Sequence, residues 1–349
     1  MNLPIPAGTH RNFRLYFNHT IHPELVRMDG ERKRVLRLLA ICILLTLGVW
    51  VFQVYVRILV VSMLLWLILG IYMYFLLSQF QKFKKRFKPR VVRLVLDFMD
   101  DDTLFGELKY FPEKKIPLDR FLSSGIFTTT ADLYEGEDYI MGRIGDIRFE
   151  MCELLVREIS RVRARLDDVF QGIFIHAVFN HPAKGILLIL PRNDMARLIV
   201  SIRNFVAHGG VPLDEKIQHL TTEARQRLQE LEAVPTLGDR ERQQMSNLRR
   251  FIDCQERFLN IFTVYGSPQV RITSLLPEEL MCFLADYARR TENLYISIIG
   301  RHMYVAIASK KDMLEPRYFQ SNVSFEVVSE FYEDVAAALL VVQAIDRSH

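Results

Sequence analysis

LLAICILLTLGVWVFQVYV, residues 38–56, and ILVVSMLLWLILGIYMYFLL, residues 58–77, are two apolar runs separated by one charge, Arg57. Each is about 20 residues long, or roughly 30 Å as a helix, which is the hydrocarbon thickness of a bilayer. One continuous helix would reach ~60 Å, about twice that thickness. The pair therefore predicts a tight transmembrane helical hairpin. About a dozen Leu, Ile, Val and Phe at roughly −0.3 to −0.6 kcal/mol each favour insertion by several kcal/mol. A helix of a soluble core would show a polar face over this length.

The flanks give an orientation. Arg27, Arg32, Lys33, Arg34 and Arg37 precede the first run; Lys82, Lys84, Lys85, Arg86, Lys88, Arg90 and Arg93 follow the second. Lys and Arg are retained on the cytoplasmic side, so both termini are expected in the cytosol. Lys82, Lys84, Lys85, Arg86 and Lys88 are candidate contacts to anionic lipid headgroups, at about 1 kcal/mol per surface-near charge. The same charges would also serve topology alone. Tyr55, Tyr72 and Tyr74 fall near run ends, where aromatic belts form. Trp66 falls mid-run and is expected to pack on the partner helix. Gly48 and Gly70 offer spots for close helix approach, although neither belongs to a GxxxG pair.

The chain has 349 residues and a formal net charge of +4. With the positive excess beside the membrane runs and no base-stacking module behind it, nucleic acid is not an expected partner. The four cysteines, Cys42, Cys152, Cys254 and Cys282, lack CxxC or metal-like spacing. They are expected as free thiols in a reducing compartment. No apolar signal segment precedes residue 30.

The chain divides into a polar amphipathic lead-in (1–34), the transmembrane hairpin (35–80), a basic juxtamembrane helix (81–102) and a cytosolic domain (103–349). In the lead-in, Phe13, Tyr16 and Phe17 recur at helical spacing, with a break expected at Pro23. The lead-in is expected to pack on the domain. A kink is expected at Pro89, and Asp100, Asp101 and Asp102 read as a solvated helix end. From 103 to 205 the pattern is strand-like. Ile147, Phe149 and Met151 alternate with Arg148, Glu150 and Cys152, one face buried. FQGIFIHAVF and KGILLILPR follow as strands joined by the Asn180-His181-Pro182 turn. The charged stretch 213–250 reads as a helical insertion and mobile excursion. FLNIFTVYG and QVRITSL then return to strand. LPEELMCFLADYARRT is a helix opening at Pro277. NLYISIIG and HMYVAIAS form a hairpin around Gly300, and Ser324–Ile345 is a long amphipathic helix. Strands mixed with few helices, without strict βαβ alternation, predict an α+β class.

Four stretches resemble the bacterial family called domain of unknown function 3137. They are SSGIFTTTADLYEGEDYIMGRIGDIRFEMCELLV, VFQGIFIHAVFNHPAKGILLILPR, FLNIFTVYGSPQVRITSLLPEELMCFLADY and NLYISIIGRHMYVAIA. The hairpin with its amphipathic lead-in is similar to that family too; residues 213–250 are not matched. The resemblance implies a multi-pass protein of the bacterial cytoplasmic (inner) membrane. Members are often encoded beside LemA-type membrane proteins, which implies a possible partner of that type and at most a shared pathway. It implies no reaction.

The sequence carries no GxxxxGK[ST], GxGxxG, HExxH or GxSxG, so no catalytic residue, cofactor or metal is expected. His176 and His181 lie around one turn. A metal or general-base role is outweighed by a structural His176 and a solvent-facing His181. Ala207-His208-Gly209-Gly210 is a weak candidate phosphate nest. The candidate functional surface is Tyr134, Gly136, Asp138, Tyr139 and Gly142, where acidic and aromatic groups could accept a basic peptide or a cation. The plainer reading is a tight turn with Gly136 at φ > 0 and Asp138 bonding backbone N–H groups. Two functions follow: a non-catalytic scaffold or regulatory module at the cytoplasmic membrane face, for which a homo-oligomer is a candidate assembly, or an enzyme acting on lipid headgroups or a bound peptide. Converging titratable groups of perturbed pKa would favour the enzyme; an exposed apolar patch or sheet edge would favour the scaffold.

Overall fold

The computed structural model describes residues 7–56, 59–101, 104–160, 165–183, 185–233, 238–270, 272, 276–311, 314, 321 and 323–346. Arg57, Asp102, Pro235 and His349 lie outside the described residues, as does most of QVRITSL. The chain forms two compact units: Met1–Met99 with Met313–Asp334, and Asp100–Asp312 with Val335–His349.

The first unit contains α1 (Ala7–Tyr16), a π turn (Phe17–Ile21), α2 (His22–Val56) and α3 (Leu59–Asp100). α2 and α3 run antiparallel. Glu24 meets Arg90 at 3.0 Å, and the Trp66 indole N–H donates to Gln53 at 3.3 Å. Trp66 thus packs on the partner helix as expected. Both helices are long and apolar enough to cross a membrane, with only 11% and 6% of their apolar windows buried. The expected break at Pro23 is a π turn instead. The His22 N–H bonds the Phe17 carbonyl, five residues back. The wider turn absorbs a proline that has no N–H and whose ring crowds the carbonyl four residues earlier. Phe13 stacks on Tyr332 with centroids 4.4 Å apart and meets Phe98 at 5.1 Å; Phe17 is edge-on to Phe325. The lead-in therefore buries its aromatic stripe against the end of α3 and the start of the last helix.

The second unit is built on one nine-stranded sheet of order β1-β2-β3-β4-β9-β8-β5-β7-β6, antiparallel throughout. Its strands are β1 (Phe105–Phe111), β2 (Leu133–Ile144), β3 (Ile147–Ser160), β4 (Arg165–Val178), β5 (Ile186–Pro191), β6 (Val211–Pro212), β7 (Phe262–Gly266), β8 (Asn293–Ile299) and β9 (His302–Ala308). Its helices are α4 (Leu118–Ser123), α5 (Ile199–Ala207), α6 (Asp214–Glu232), α7 (Asp239–Ile261) and α8 (Glu278–Ala288). α9 (Phe325–Asp346) belongs to the first unit up to Asp334 and to the second beyond it. Val335, Leu339 and Val342 of its expected apolar stripe are fully buried. The class is α+β, as expected.

Two hairpins frame the sheet. β2–β3 turns through Gly145 (φ +56°) and β8–β9 through Gly300 (φ +61°), each a two-residue loop with glycine first. That geometry matches the twist of the flanking strands. β4 and β5 are consecutive in sequence yet not neighbours, because β9 and β8 lie between them. The connecting segment bonds the β8–β9 turn instead: Phe179 N–H to the Arg301 carbonyl and Ala183 N–H to the Gly300 carbonyl, both at 2.8 Å.

Three expectations are corrected. Gly136, expected in a turn, is interior to β2, as is Gly142, which lies opposite the register shift of β1. A Cβ at Gly142 would meet Leu108 Cδ2 at 2.7 Å, and one at Gly136 would meet Leu154 Cδ2 at 2.6 Å, so close approach explains both glycines. FLNI is the end of α7, not strand. Cys254 and Cys282 are joined as a disulfide between α7 and α8, with Cα atoms 4.9 Å apart; Cys42 and Cys152 remain free thiols. The excursion is a helical hairpin whose base is built into the core: Leu213, Ile217, Cys254 and Phe258 are fully buried. Its thin apolar stripe is supplemented by tethers from Arg257 to Asp286 (2.9 Å) and Arg192 to Asp214 (2.7 Å).

Candidate functional site

Strand register assembles a polar pocket on one face of the sheet. Residues two apart on a strand share a face, so Arg148 and Glu150 of β3 point the same way. Glu150 pairs with His176 of β4, and His176 with Tyr304 of β9. In the next row Arg148 pairs with Val178, Val178 with His302, and His302 with Ile299. Two rows of facing side chains thus cross β3, β4, β9 and β8. The same face continues into an apolar cluster of Phe121, Phe127, Phe170, Phe174 and Tyr295. Phe121 anchors α4 there, stacked on Phe127 at 5.4 Å and against Phe174 at 5.1 Å. That anchorage brings Arg120 over the rows. The result is an open cavity of about 590 Å³ whose lining mixes polar Asp119, Arg120, Tyr139, Arg148, Glu150, His176 and His302 with apolar Met141, Val178 and Ile299.

Glu150 is the hub. Its Oε1 accepts from His176 Nδ1 at 2.9 Å and from Arg120 Nη1; its Oε2 accepts from the Tyr139 hydroxyl at 2.6 Å. Burial would raise its pKa, but hydrogen bonds from His176, Tyr139 and Arg120 outweigh burial and hold it down at about 2. The carboxylate is therefore ionised and fully engaged. An ionised carboxylate at this distance favours the His176 tautomer with its proton on Nδ1, in which Nε2 is an acceptor. That Nε2 lies 2.9 Å from His302 Nδ1. The His302 pKa is lowered by burial first, then by His176, Arg120 and Arg301. Neutral His302 therefore carries its proton on Nδ1 and presents an Nε2 lone pair. Tyr139 is raised by burial and by its bond to Glu150, so its hydroxyl stays protonated. Such an arrangement, a carboxylate orienting one imidazole that orients a second, can hold or accept a proton at the outer ring.

The expected functional surface is dispersed. Tyr139 joins the pocket. Tyr134 bonds the Ile116 carbonyl at 2.7 Å beneath the apolar cluster. Asp138 (φ +58°) sits at the β2 bulge, is 3% exposed and accepts from the Tyr110 hydroxyl at 2.5 Å. It groups with Glu137 and Glu153 as carboxylates close enough to share a cation. Acidic and aromatic groups therefore do not present one peptide-binding face. Gly209 and Gly210 close α5 at its C-terminal end, their N–H groups bonded to the Val206 and Phe205 carbonyls, so no phosphate nest forms there. Of the basic helix, Lys82, Lys85 and Arg86 are exposed, while Lys88 is buried and does not present its charge to a surface. The side chain of Lys84 lies outside the described residues.

Sequence reading singled out Tyr139 and weighed His176, but missed Arg120, Glu150 and His302 as site residues. Their signal was present in principle. A Glu and a His at inward positions of opposed strands must find partners. The pairing of β4 with β9, which joins residues 126 apart, is not visible in local periodicity.

The chain is an antiparallel α+β sheet protein with a carboxylate–histidine–histidine pocket and a pair of helices long and apolar enough to cross a membrane. It belongs to the family described as Protein of unknown function (DUF3137), whose model matches residues 168–347. That span begins inside β4 and includes residues 213–250, the stretch not matched on sequence resemblance; it leaves out the apolar helices and the first three strands. No curated protein and no solved structure matches the chain.

Proposed function

We propose that this is a membrane-anchored protein of the cytoplasmic membrane face that acts on a small ligand in the sheet-face pocket. The observation that carries the pocket is the hydrogen-bonded chain Glu150–His176–His302 opening into a cavity of about 590 Å³. Ligand sites are concave, about this size, and combine apolar walls with a few convergent polar groups. The anchor is supported by the exposed apolar stretches of α2 and α3 and by the Lys and Arg clusters at both ends. In this reading α2 and α3 span the bilayer and both termini are cytosolic. Lys82, Lys85 and Arg86 meet anionic headgroups. Reporter fusions after residue 30 and at the C-terminus test the anchor: both are expected to read as cytosolic, and a periplasmic signal at the C-terminus overturns it. Ligand-dependent thermal shifts of the full chain in detergent, with a panel of small anions, test the pocket. Stabilisation by a panel member is expected to disappear in His302→Asn and Glu150→Gln. Stabilisation that persists in both variants places the ligand elsewhere.

A second reading is the scaffold, with a LemA-type partner or a second copy of the chain. It draws on the α6–α7 hairpin, whose outer surface is charged and exposed. Capture from solubilised membranes with and without α6–α7 surface substitutions separates the two readings.

A further inference from the structure

We infer that His302 is the general base of a hydrolytic site for small monoanionic carboxylic esters, with Arg148 as the anion anchor. This rests on the pocket reading above and names its chemistry. Three observations carry it. First, three side chains form a contact chain whose outward end is His302 Nε2: His176 Nδ1 lies 2.9 Å from Glu150 Oε1 and His176 Nε2 lies 2.9 Å from His302 Nδ1; in the tautomer with each Nδ1 protonated, the His302 Nε2 lone pair is free. Positive charge arriving on the imidazole pair would face an ionised carboxylate rather than bulk apolar surroundings. Second, Arg148 lines the same cavity and has no ion pair among the described residues, whereas Arg120 is committed to Glu150. Third, Arg148 and His302 occupy one row, with Val178 between them. At about 4.8 Å per strand they stand roughly 10 Å apart at the backbone, which suits a short molecule bearing an anion at one end and the reacting group at the other. Met141, Val178 and Ile299 supply an apolar floor.

Charge selects the ester class. A phosphoryl group in flight needs several cations or a metal clamp, whereas among the described residues this cavity offers one guanidinium without an ion pair and carries the Asp119 carboxylate on its wall, which disfavours a dianion further. A carboxylate-bearing ester needs one. The step balances without a further reagent. Water gives a proton to His302 Nε2 as its oxygen attacks the acyl carbon. The C–O bond to the alcohol then breaks, and the same proton passes to the departing oxygen. The products are an acid and an alcohol. His302 is the catalytic residue, while His176 and Glu150 are positioning residues acting through it. The groups facing His302 are His176 from β4, Tyr304 and Arg301 beside it, Glu150 and Arg120 beyond, and Asp119 of α4 and Arg148 of β3 on the wall of the same cavity.

The test uses the full chain in detergent micelles with mono(4-nitrophenyl) succinate, 4-nitrophenyl acetate and 4-nitrophenyl phosphate. Saturable hydrolysis of the succinate is expected, with His302→Asn lowering kcat at least 100-fold. Arg148→Met should raise KM for the succinate about tenfold and leave the neutral acetate unchanged. Glu150→Gln should lower kcat and move the acidic limb of the pH profile downward, since an imidazole pair without its carboxylate is less basic; Glu150→Asp should restore part of both. Equal rates in wild type and His302→Asn, or preference for the phosphate, overturn the assignment. Binding of the succinate, seen as shifts of the His302 ring resonances, without turnover overturns the base role while keeping the ligand pocket. Neither binding nor turnover overturns both.

Discussion

The apolar helices and the sheet-face pocket dispose their side chains in opposite ways. Along α2 and α3 large apolar groups face outward: Leu47 is 55% exposed and Leu67 is 63% exposed. In the sheet unit apolar groups are buried on both faces, and the polar groups around Glu150 are gathered as mutual partners. The first arrangement calls for an apolar cover, which the proposed reading supplies as lipid. The second is stable where a buried charge is met by donors, as Glu150 is by His176, Tyr139 and Arg120. In the proposed membrane-anchored reading one chain carries two solvents' rules, and substitutions should act by the rules of the region they enter.

The largest effect should come from breaking the outward-facing rule. Leu47→Arg with Leu67→Arg places a charge near the middle of each run, at about 2.5–3.5 kcal/mol apiece, or roughly 6 kcal/mol together. The expected result is loss of the carbonate-resistant membrane fraction, with the near-ultraviolet dichroism of the sheet unit retained. A double variant that stays in the membrane fraction would break the comparison. The mirror experiment is Phe174→Ala. Phe174 is fully buried among Phe121, Phe170 and Tyr304. The cavity should cost about 3–5 kcal/mol, read as a lowered denaturant midpoint, with membrane partition unchanged.

Local pattern carries the helices well and the pocket poorly, and the reason is physical. Hydropathy of the runs and alternation of Ile147, Phe149 and Met151 are properties of neighbouring residues, so helix ends and most strands are readable from them. The same alternation assigned Arg148, Glu150 and Cys152 to solvent. Only Arg148 is exposed, because α4 and the following segment cover that face around Phe121 and Phe127. The His176–His302 contact and the Cys254–Cys282 pair depend on which distant segments meet, which no window contains. Pro23 misled because a π turn, not a break, answers its missing donor.

The disulfide sharpens the contrast within the sheet unit. It closes a segment of 28 residues between α7 and α8. Cross-links of this kind contribute about 2–4 kcal/mol. Dithiothreitol, or Cys254→Ser, should lower the unfolding midpoint by that amount, while leaving the membrane fraction unaltered. An unchanged midpoint would mean that Arg257, which contacts Asp286 at 2.9 Å, holds the helices without it.

Acid should disturb the pocket before the helices. The Glu150 pKa is lowered from 4.5 to about 2. A depressed carboxylate contributes stability above its unfolded value, lost as pH falls through the folded one. His302 adds in the same sense: its folded pKa lies below its unfolded one, so stability starts to fall as pH drops below about 6.5. The Glu150 contribution, reduced by partial solvent screening, is on the order of 2–3 kcal/mol between about pH 4.5 and pH 2. Denaturant midpoints measured across that window should decline in wild type and stay nearly flat in Glu150→Gln. Parallel declines would assign acid sensitivity to other carboxylates.

Two glycines test the comparison at its finest grain. Gly142 lies where β2 meets β1, and a Cβ there would strike Leu108 Cδ2 at 2.7 Å and come within 3.0 Å of the Gly106 carbonyl. The backbone oxygen cannot swing aside as a side-chain end can, so Gly142→Ala should cost about 1–3 kcal/mol by overpacking. Gly70 reads as the same kind of residue in sequence, a spot for close helix approach in an apolar run. The structure shows otherwise: a Cβ at Gly70, like one at Gly48, meets nothing within 4 Å. It faces away from α2. Gly70→Leu should then leave both the α2–α3 pairing and the membrane fraction within about 0.5 kcal/mol of wild type, with a small gain from helix propensity. Cysteine cross-linking between α2 and α3 measures the pairing directly. A Gly70→Leu variant that lost the cross-link would place that glycine at a helix contact made by a second copy of the chain. The apolar surface would then be covered partly by protein rather than wholly by lipid.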